Sequence, residues 1–267
     1  MPHSLSPIGV FDSGVGGLTV LRQLIDLLPE ERFVYFGDTA RLPYGEKSRE
    51  TIIRYSIENT IFLLEKNIKL LVVACNTATA HALERLEQIF NIPVIGVIEP
   101  CVEQAIEVSK KGRIAILGTK GTIRSESYQK AILQKMPTAY VLPVACPLFV
   151  PLVEEQYMHH AAARLIVQEH LKPIREKSID TLLLGCTHYP LLKDLIRSEV
   201  GDEVNIVDSS SACAHKVCVT LKKMGLQATE NATPKIEYFV SDDPLKFQMS
   251  GRFFLKLPIE HVSLYQT

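Results

Sequence analysis

Cys75 and Cys186 end two apolar runs, LLVVAC at 70–75 and TLLLGC at 181–186. Each is followed by hydrogen-bonding residues: Asn76 and Thr77 after the first, Thr187 and His188 after the second. A thiol acts as base, nucleophile or metal ligand through its thiolate. At an ordinary pKa of about 8.5, that form needs a nearby cation or helix N-terminus to dominate at neutral pH. Two such thiols facing across a cleft suit one reaction well. One removes a proton from one face of a stereocentre, the other returns a proton to the opposite face, and the roles exchange in the reverse direction. Two other uses compete. A cysteine at a strand end commonly does no more than pack, although matched polar followers on both cysteines are poorly explained that way. Cys186-x-His188 also offers two zinc ligands. No Cys-x-x-Cys or His-x-x-x-His pattern accompanies it, and His159-His160 reads as part of a solvated helix face, so no metal site is expected.

Other polar residues end apolar runs in the same manner. IGVFD at 8–12 leads through Asp12 to Ser13 and Gly14, and FVYFG at 33–37 leads to Asp38. DSGVGG at 12–17 is not a dinucleotide fingerprint, because the sixth position counted from Gly14 is Thr19. It also lacks the Gly-Lys-Ser/Thr of a phosphate loop, and GTKGT at 118–122 fails likewise. Glycines of this kind suit a tight strand-to-helix turn whose amides approach a small anion such as a carboxylate. Asp12 reads either as an N-cap or as a polar group of a site. Cys101, Cys146, Cys213 and Cys218 have no polar followers and read as packing or surface thiols.

Alternating strands and helices must position these groups. Strands are expected near 8–12, 33–37, 70–75 and 93–97, with helical periodicity over 17–28, 48–66 and 78–90. Ile53, Ile57, Thr60, Ile61 and Leu64 fall on one stripe of the second helix. The order then restarts. RIAILG at 113–118, AYVLPV at 139–144, TLLLGC at 181–186 and VNIVD at 204–208 correspond to the first four strands, with helices clearest at 159–177 and 190–199. The interval from Gly14 to Cys75 is close to that from Thr119 to Cys186. The expected fold is α/β: two similar domains, each a mostly parallel sheet flanked by helices. In such sheets ligands bind beyond the carboxyl ends of the strands, so the active site is expected in a cleft between the domains. The tail does not form a third half. A helix near 211–225, a strand at 236–240 and a helix start at SDDP (241–244) are expected to return to the first half. That makes residues 1–98 plus 212–267 one discontinuous domain and 99–211 the other.

Composition narrows the function class. The chain has 267 residues, 46% hydrophobic and 22% charged, which is an ordinary globular balance with enough length to bury a core unaided. A formal net charge of −1 with no long basic run argues against nucleic acid as partner. No stretch reaches the 18 apolar residues of a membrane span, and MPHSLSPIGVFDSG lacks the basic and apolar regions of a signal peptide. A cytoplasmic location with reduced thiols is therefore expected.

FDSGVGGLTV (11–20), GDTARLPYG (37–45), ACNTAT (74–79), PLFVPLVEE (147–155) and GCTHYPLL (185–192) together resemble the cofactor-independent aspartate/glutamate racemases, in the family's order and over nearly the whole chain. Within that family the resemblance is to the glutamate racemases, because related aspartate racemases tend to carry Glu where His188 stands. It implies an isomerase that interconverts L-glutamate and D-glutamate by proton transfer at Cα, with Cys75 and Cys186 as the catalytic thiols. Asp12 and His188 fall on positions that assist them, Glu154 on an acidic position near the second thiol, and Asp38 on a further assisting position. Ser13, Tyr44, Gly45, Asn76, Thr77 and Thr187, with Asp12 and His188, fall on substrate-binding positions. The resemblance also implies no pyridoxal phosphate, no metal, a homodimer, and a product, D-glutamate, that feeds bacterial peptidoglycan synthesis.

Overall fold

The computed structural model describes residues 3–228 and 235–265. Contacts divide the chain into two units, with boundaries between Val97 and Ile98 and between Ser209 and Ser210. The elements run β1 (Ile8–Asp12), α1 (Leu18–Leu27), β2 (Phe33–Gly37), α2 (Arg49–Glu65), β3 (Leu70–Val73), α3 (Asn76–Ile89) and β4 (Val94–Gly96). They continue with α4 (Ile98–Val108), β5 (Arg113–Gly118), α5 (Lys120–Arg124), α6 (Ser127–Lys135), β6 (Tyr140–Ala145), α7 (Phe149–Glu154), α8 (Ala161–Arg175), β7 (Thr181–Gly185), α9 (Lys193–Val200) and β8 (Asn205–Asp208). The last four are α10 (Ser209–Met224), β9 (Ile236–Val240), α11 (Pro244–Leu255) and β10 (Ser263–Leu264).

Each unit is an α/β layer structure on a parallel sheet. The first sheet has the order β10-β9-β2-β1-β3-β4 and the second β6-β5-β7-β8. Every strand pairing is parallel, from Ile8↔Phe33 and Ile8↔Leu70 in the first sheet to Ile114↔Thr181 in the second. Read from β2 and from β6, the two orders are the same, 2-1-3-4. The strand correspondence visible in the sequence is thus a correspondence of topology. The tail adds β9 alongside β2, with Phe33 opposite Ile236, and the two-residue β10 beyond it. All residues of β1, β2, β3 and β7 are buried, as strands covered by helices on both faces require.

Three local outcomes differ from the sequence expectation. In α2 the buried residues include Ile52, Ser56, Asn59, Thr60 and Leu63, while Ile61 is 49% exposed. The buried stripe is rotated from the apolar one because Thr60 returns its hydroxyl to the Ser56 carbonyl (2.7 Å) and Asn59 serves buried partners described below. Helix α3 starts at Asn76, two residues earlier than its apolar periodicity, because Cys75 caps it. His159 and His160 are exposed, but they lie in a 3₁₀ turn and at the N-cap of α8 rather than on a helix face. The short β10 had no sequence expectation.

At the amino ends of the central strands the first unit buries an ion pair. Lys69, just before β3, donates from Nζ to Glu31 (2.5 Å), to the Ser4 carbonyl (2.5 Å) and to the Leu226 carbonyl (2.8 Å). Glu31 also accepts from the Ala228 amide at 2.9 Å.

Candidate active site

In a 2-1-3-4 parallel sheet the topological switch point lies between the first and third strands, at their carboxyl ends. In the first unit that is where β1 delivers Asp12 and Ser13 and β3 delivers Cys75. The Ala74 amide bonds to the Phe11 carbonyl (2.9 Å), which keeps the two chain segments together past the last paired residue. Cys75 then turns into α3 as its N-cap, with its own backbone extended (φ −73°, ψ 122°) and its sulfur accepting from the Ala78 amide at 3.5 Å. A sulfur there meets an unsatisfied amide and the positive end of a 14-residue helix, both of which favour negative charge. The thiol also lies 3.8 Å from Ser13 Oγ. Asp12, Asn76 and Thr77 are buried beside it, and Asp12 accepts from the Gly14 amide at 3.1 Å.

The glycines of DSGVGG act through closeness of packing. None of Gly14, Gly16 and Gly17 has a positive φ. A Cβ at Gly17 would stand 2.5 Å from Asp12 Cβ, 2.9 Å from Tyr35 Oη and 3.1 Å from Ala74 Cβ. Tyr35 in turn donates to the Gly14 carbonyl at 2.8 Å, so the loop is held from below. Gly17→Ala should therefore displace Asp12, lowering activity together with a stability loss of about 1–3 kcal/mol. Chemical denaturation beside a rate assay checks it, and an unchanged rate would show that Asp12 tolerates the shift.

Asp38 follows β2 and is fully buried. Its carboxylate accepts from Arg41 Nε at 2.9 and 2.8 Å, from the Ser241 hydroxyl at 2.9 Å, and from the Tyr44 hydroxyl. Tyr44 also accepts from Asn59 Nδ2 at 3.1 Å. Burial, and then the adjacent Asp38 charge, push the Tyr44 phenol far above its ordinary range. Tyr44 and Gly45 open a 3₁₀ turn (Tyr44–Glu46) and both are buried.

The second unit repeats the address with different chemistry. Thr119 follows β5 and caps α5, accepting from the Thr122 amide at 3.2 Å, and Cys186 follows β7. No helix starts at Cys186. Pro190 introduces a 3₁₀ turn (Tyr189–Leu192), and α9 begins only at Lys193. Helical periodicity follows both thiols in the sequence, at 78–90 and 190–199, but a helix N-terminus stands behind Cys75 alone. Cys186 has a histidine instead. His188 Nδ1 lies 3.9 Å from Cys186 Sγ and 3.4 Å from Thr187 Oγ1, and His188 Nε2 lies 3.0 Å from Glu154 Oε1. Burial opposes charge on this imidazole, but Cys186 and Glu154 outweigh it and raise its pKa from 6.5 to about 10. These two neighbours favour the charged imidazolium, with one ring nitrogen towards sulfur and the other on a carboxylate.

His188 and Glu154 are 34 residues apart in sequence. Tyr189 joins their segments a second time, donating to the Cys146 carbonyl at 2.8 Å just before α7, with Phe149 edge-on to its ring. Cys101, Cys146 and Cys213 are buried and Cys218 is partly exposed, and none of the four is in a disulfide. Burial pushes the Cys213 thiol up to about 12. Among the described residues no three His, Cys, Asp or Glu side chains come together to hold a metal, and no helix is long and apolar enough to cross a membrane.

The Asp/Glu/Hydantoin racemase family profile matches residues 9–217. The chain belongs to this family. It is similar to the glutamate racemase of Geobacter metallireducens, 52% identical over 248 residues that cover 93% of this chain and 92% of that one. Its fold is similar to a crystal structure of glutamate racemase isoform RacE1 from Bacillus anthracis, with a TM-score of 0.95, 40% identity and 99% and 98% of the two chains covered. It is likewise similar to glutamate racemase from Francisella tularensis crystallised with D-glutamate, with a TM-score of 0.92, 36% identity and 98% of each chain covered. As a racemase the protein is an isomerase.

Within each unit of this racemase the strand ends gather the residues that the sequence singled out: Asp12, Ser13, Cys75, Asn76 and Thr77 in one, Glu154, Cys186, Thr187 and His188 in the other. Tyr35 and Tyr189 hold the segments that carry them, and Arg41, Asn59 and Ser241 hold Asp38 and Tyr44; none of these five has a sequence expectation. Tyr189 lies within GCTHYPLL and Arg41 within GDTARLPYG, whereas nothing near Ser241 hints at its contact with Asp38. In the Glu154→Gln variant one of the two supports of the His188 charge is lost. The imidazole titration, followed by NMR of its ring protons, should move down from about 10. The group's folded pKa is raised, so its stabilising contribution is complete below about 6.5 and fades as pH rises through about 10. The variant should narrow that window from the alkaline side. An unmoved titration would mean that Cys186 alone holds the proton on His188.

Proposed function

We propose that the protein is a glutamate racemase that interconverts L-glutamate and D-glutamate by two-base proton transfer between Cys75 and Cys186. One observation carries the proposal. Two units of the same strand order each end a strand at their switch point in a buried cysteine with a hydrogen-bonding partner of its own: the Ala78 amide at the N-cap Cys75 and His188 at Cys186. The relatives named above supply the substrate.

One thiolate takes the α-proton and becomes a thiol. The carbanion formed is then protonated on its opposite face by the other thiol, which becomes the thiolate. Each turnover leaves the two sulfurs with exchanged protons. The α-proton of an amino acid is a very weak acid, so charge developing towards the carboxylate needs donors. Ser13, Asn76, Thr77, Thr187 and the Tyr44–Gly45 turn are the groups assigned to hold the substrate. Asp12 assists Cys75. His188, oriented by Glu154, assists Cys186. The scheme calls for no pyridoxal phosphate and no metal. The enzyme is taken to work as a cytoplasmic homodimer that supplies D-glutamate for peptidoglycan.

Proton NMR of L-glutamate with the purified protein in D₂O, with a chelator and no added cofactor, tests this directly. Loss of the α-proton signal with D-glutamate appearing is the expected result. Exchange of aspartate instead would keep the mechanism and change the substrate. Exchange of neither would overturn the proposal.

A further inference from the structure

Resting on that functional reading, we infer that Arg41 and Ser241 are positioning residues: through Asp38 they hold the Asp38–Gly45 segment that carries the Tyr44–Gly45 substrate contacts. This assigns Asp38 to the same clamp rather than to proton transfer. Four observations within the first unit support it.

The Asp38 carboxylate is fully buried and both its oxygens are occupied. Oδ1 takes Arg41 Nε and Ser241 Oγ, and Oδ2 takes Arg41 Nε and the Tyr44 hydroxyl. A carboxylate so engaged is a poor proton shuttle but a firm anchor for a tyrosine. Arg41 is itself fixed on all sides. Nη2 donates to Asn59 Oδ1 at 2.8 Å, Nη1 donates to Glu58, and the guanidinium carbon lies 4.2 Å from the centre of the Tyr55 ring. A planar fork that is stacked and bonded in two directions cannot be replaced by the point charge of lysine.

The clamp also closes from a distant part of the chain. Ser241 Oγ accepts from the Ala40 amide at 2.9 Å while donating to Asp38, and Thr39 Oγ1 donates to the Asp242 carbonyl at 2.6 Å and accepts the Asp242 amide at 2.9 Å. The turn after β9 therefore holds the segment by hydrogen bonds that span about 200 residues of sequence. Finally, Asn59 bonds both ends of the device, Arg41 and the Tyr44 hydroxyl, and this is why a polar residue occupies the buried face of α2.

The test compares Arg41→Lys and Ser241→Ala with wild type by steady-state kinetics in both directions and by thermal melting. A displaced binding turn weakens ground state and transition state alike. KM should rise about tenfold or more in Arg41→Lys, and by a smaller factor in Ser241→Ala, with kcat within about threefold of wild type. Ser241→Ala removes one hydroxyl at a turn and provides the measurement if Arg41→Lys fails to fold. A large fall in kcat at unchanged KM would overturn the inference by placing Asp38 in the chemistry. A lowered melting temperature with both constants unchanged would overturn it by showing a purely structural network. A wild-type protein that exchanges no α-proton would overturn the functional reading and this inference with it. Wild-type exchange with variants that fail the pattern overturns this inference alone.

Discussion

Cys75→Ala and Cys186→Ala each lose racemisation by at least about 10³-fold, within the range by which a positioned acid or base accelerates a reaction. Under the proposed two-thiol scheme either single loss suffices, because neither direction can be completed by one thiol. Without Cys75 the carbanion formed at Cys186 has no acid on its other face, and without Cys186 the reverse holds. The surroundings make the two variants distinguishable beyond their common inactivity. Cys75 leaves behind a helix N-terminus whose Ala78 amide had the sulfur as acceptor. Cys186 leaves behind the His188 imidazolium, which keeps Glu154 and loses the sulfur that is the larger of the two causes raising its pKa. In Cys186→Ala the His188 titration should therefore fall further than in Glu154→Gln, while in Cys75→Ala it should not move. Polarimetry of both enantiomers, α-proton exchange in D₂O and the His188 titration give three readouts. Activity of either variant within about tenfold of wild type would end the two-thiol scheme.

The second large effect is on stability and lies at the opposite end of the strands. Lys69→Met or Glu31→Leu should each cost about 3–5 kcal/mol, because either change leaves a buried, half-satisfied partner. Lys69 has no exposed side-chain surface and Glu31 has 2%, so neither charge can turn to water. The ammonium group has three protons and three acceptors: Ser4, Glu31 and Leu226. Removing it opens the acceptors of three chain segments at once. The double variant Lys69→Met/Glu31→Leu should recover most of the loss, since two buried charges replaced by apolar groups of similar size no longer demand partners. Denaturant unfolding of both single variants and the double variant completes a thermodynamic cycle. Additive losses would show that the two residues do not act as a pair. Activity measured well below the unfolding transition should be little changed, because the pair lies away from the strand ends that hold the thiols.

Part of this was legible along the chain. Parallel strands buried on both faces are nearly continuous apolar runs, so β1, β2, β3, β5 and β7 were legible; the less buried β4, β6, β8 and β9 were expected too, and the order of the elements showed that the chain repeats. The matched location of Cys75 and Cys186 followed from that repeat, since the carboxyl end of a strand is the same address in each unit. Glu154 was different. Only the resemblance of PLFVPLVEE singled it out, and what ties it to His188 is a 3.0 Å contact made by α7, which sequence spacing does not express.

Tertiary packing settled the rest, because it depends on what lies opposite each residue. The apolar stripe of α2 pointed to Ile61, yet α2 exposes Ile61 and buries Asn59, whose side chain is satisfied by Arg41 and Tyr44. Cys75 and Cys186 look alike in sequence, but only one is a helix cap, because Pro190 turns the chain into 3₁₀ geometry after the other. Local residue types dictated strands, their ends and the reactive groups placed there. Which group neutralises, orients or clamps another was decided across intervals as long as that from Asp38 to Ser241, where a hydrogen bond depends on folded distance and leaves no periodic trace in sequence.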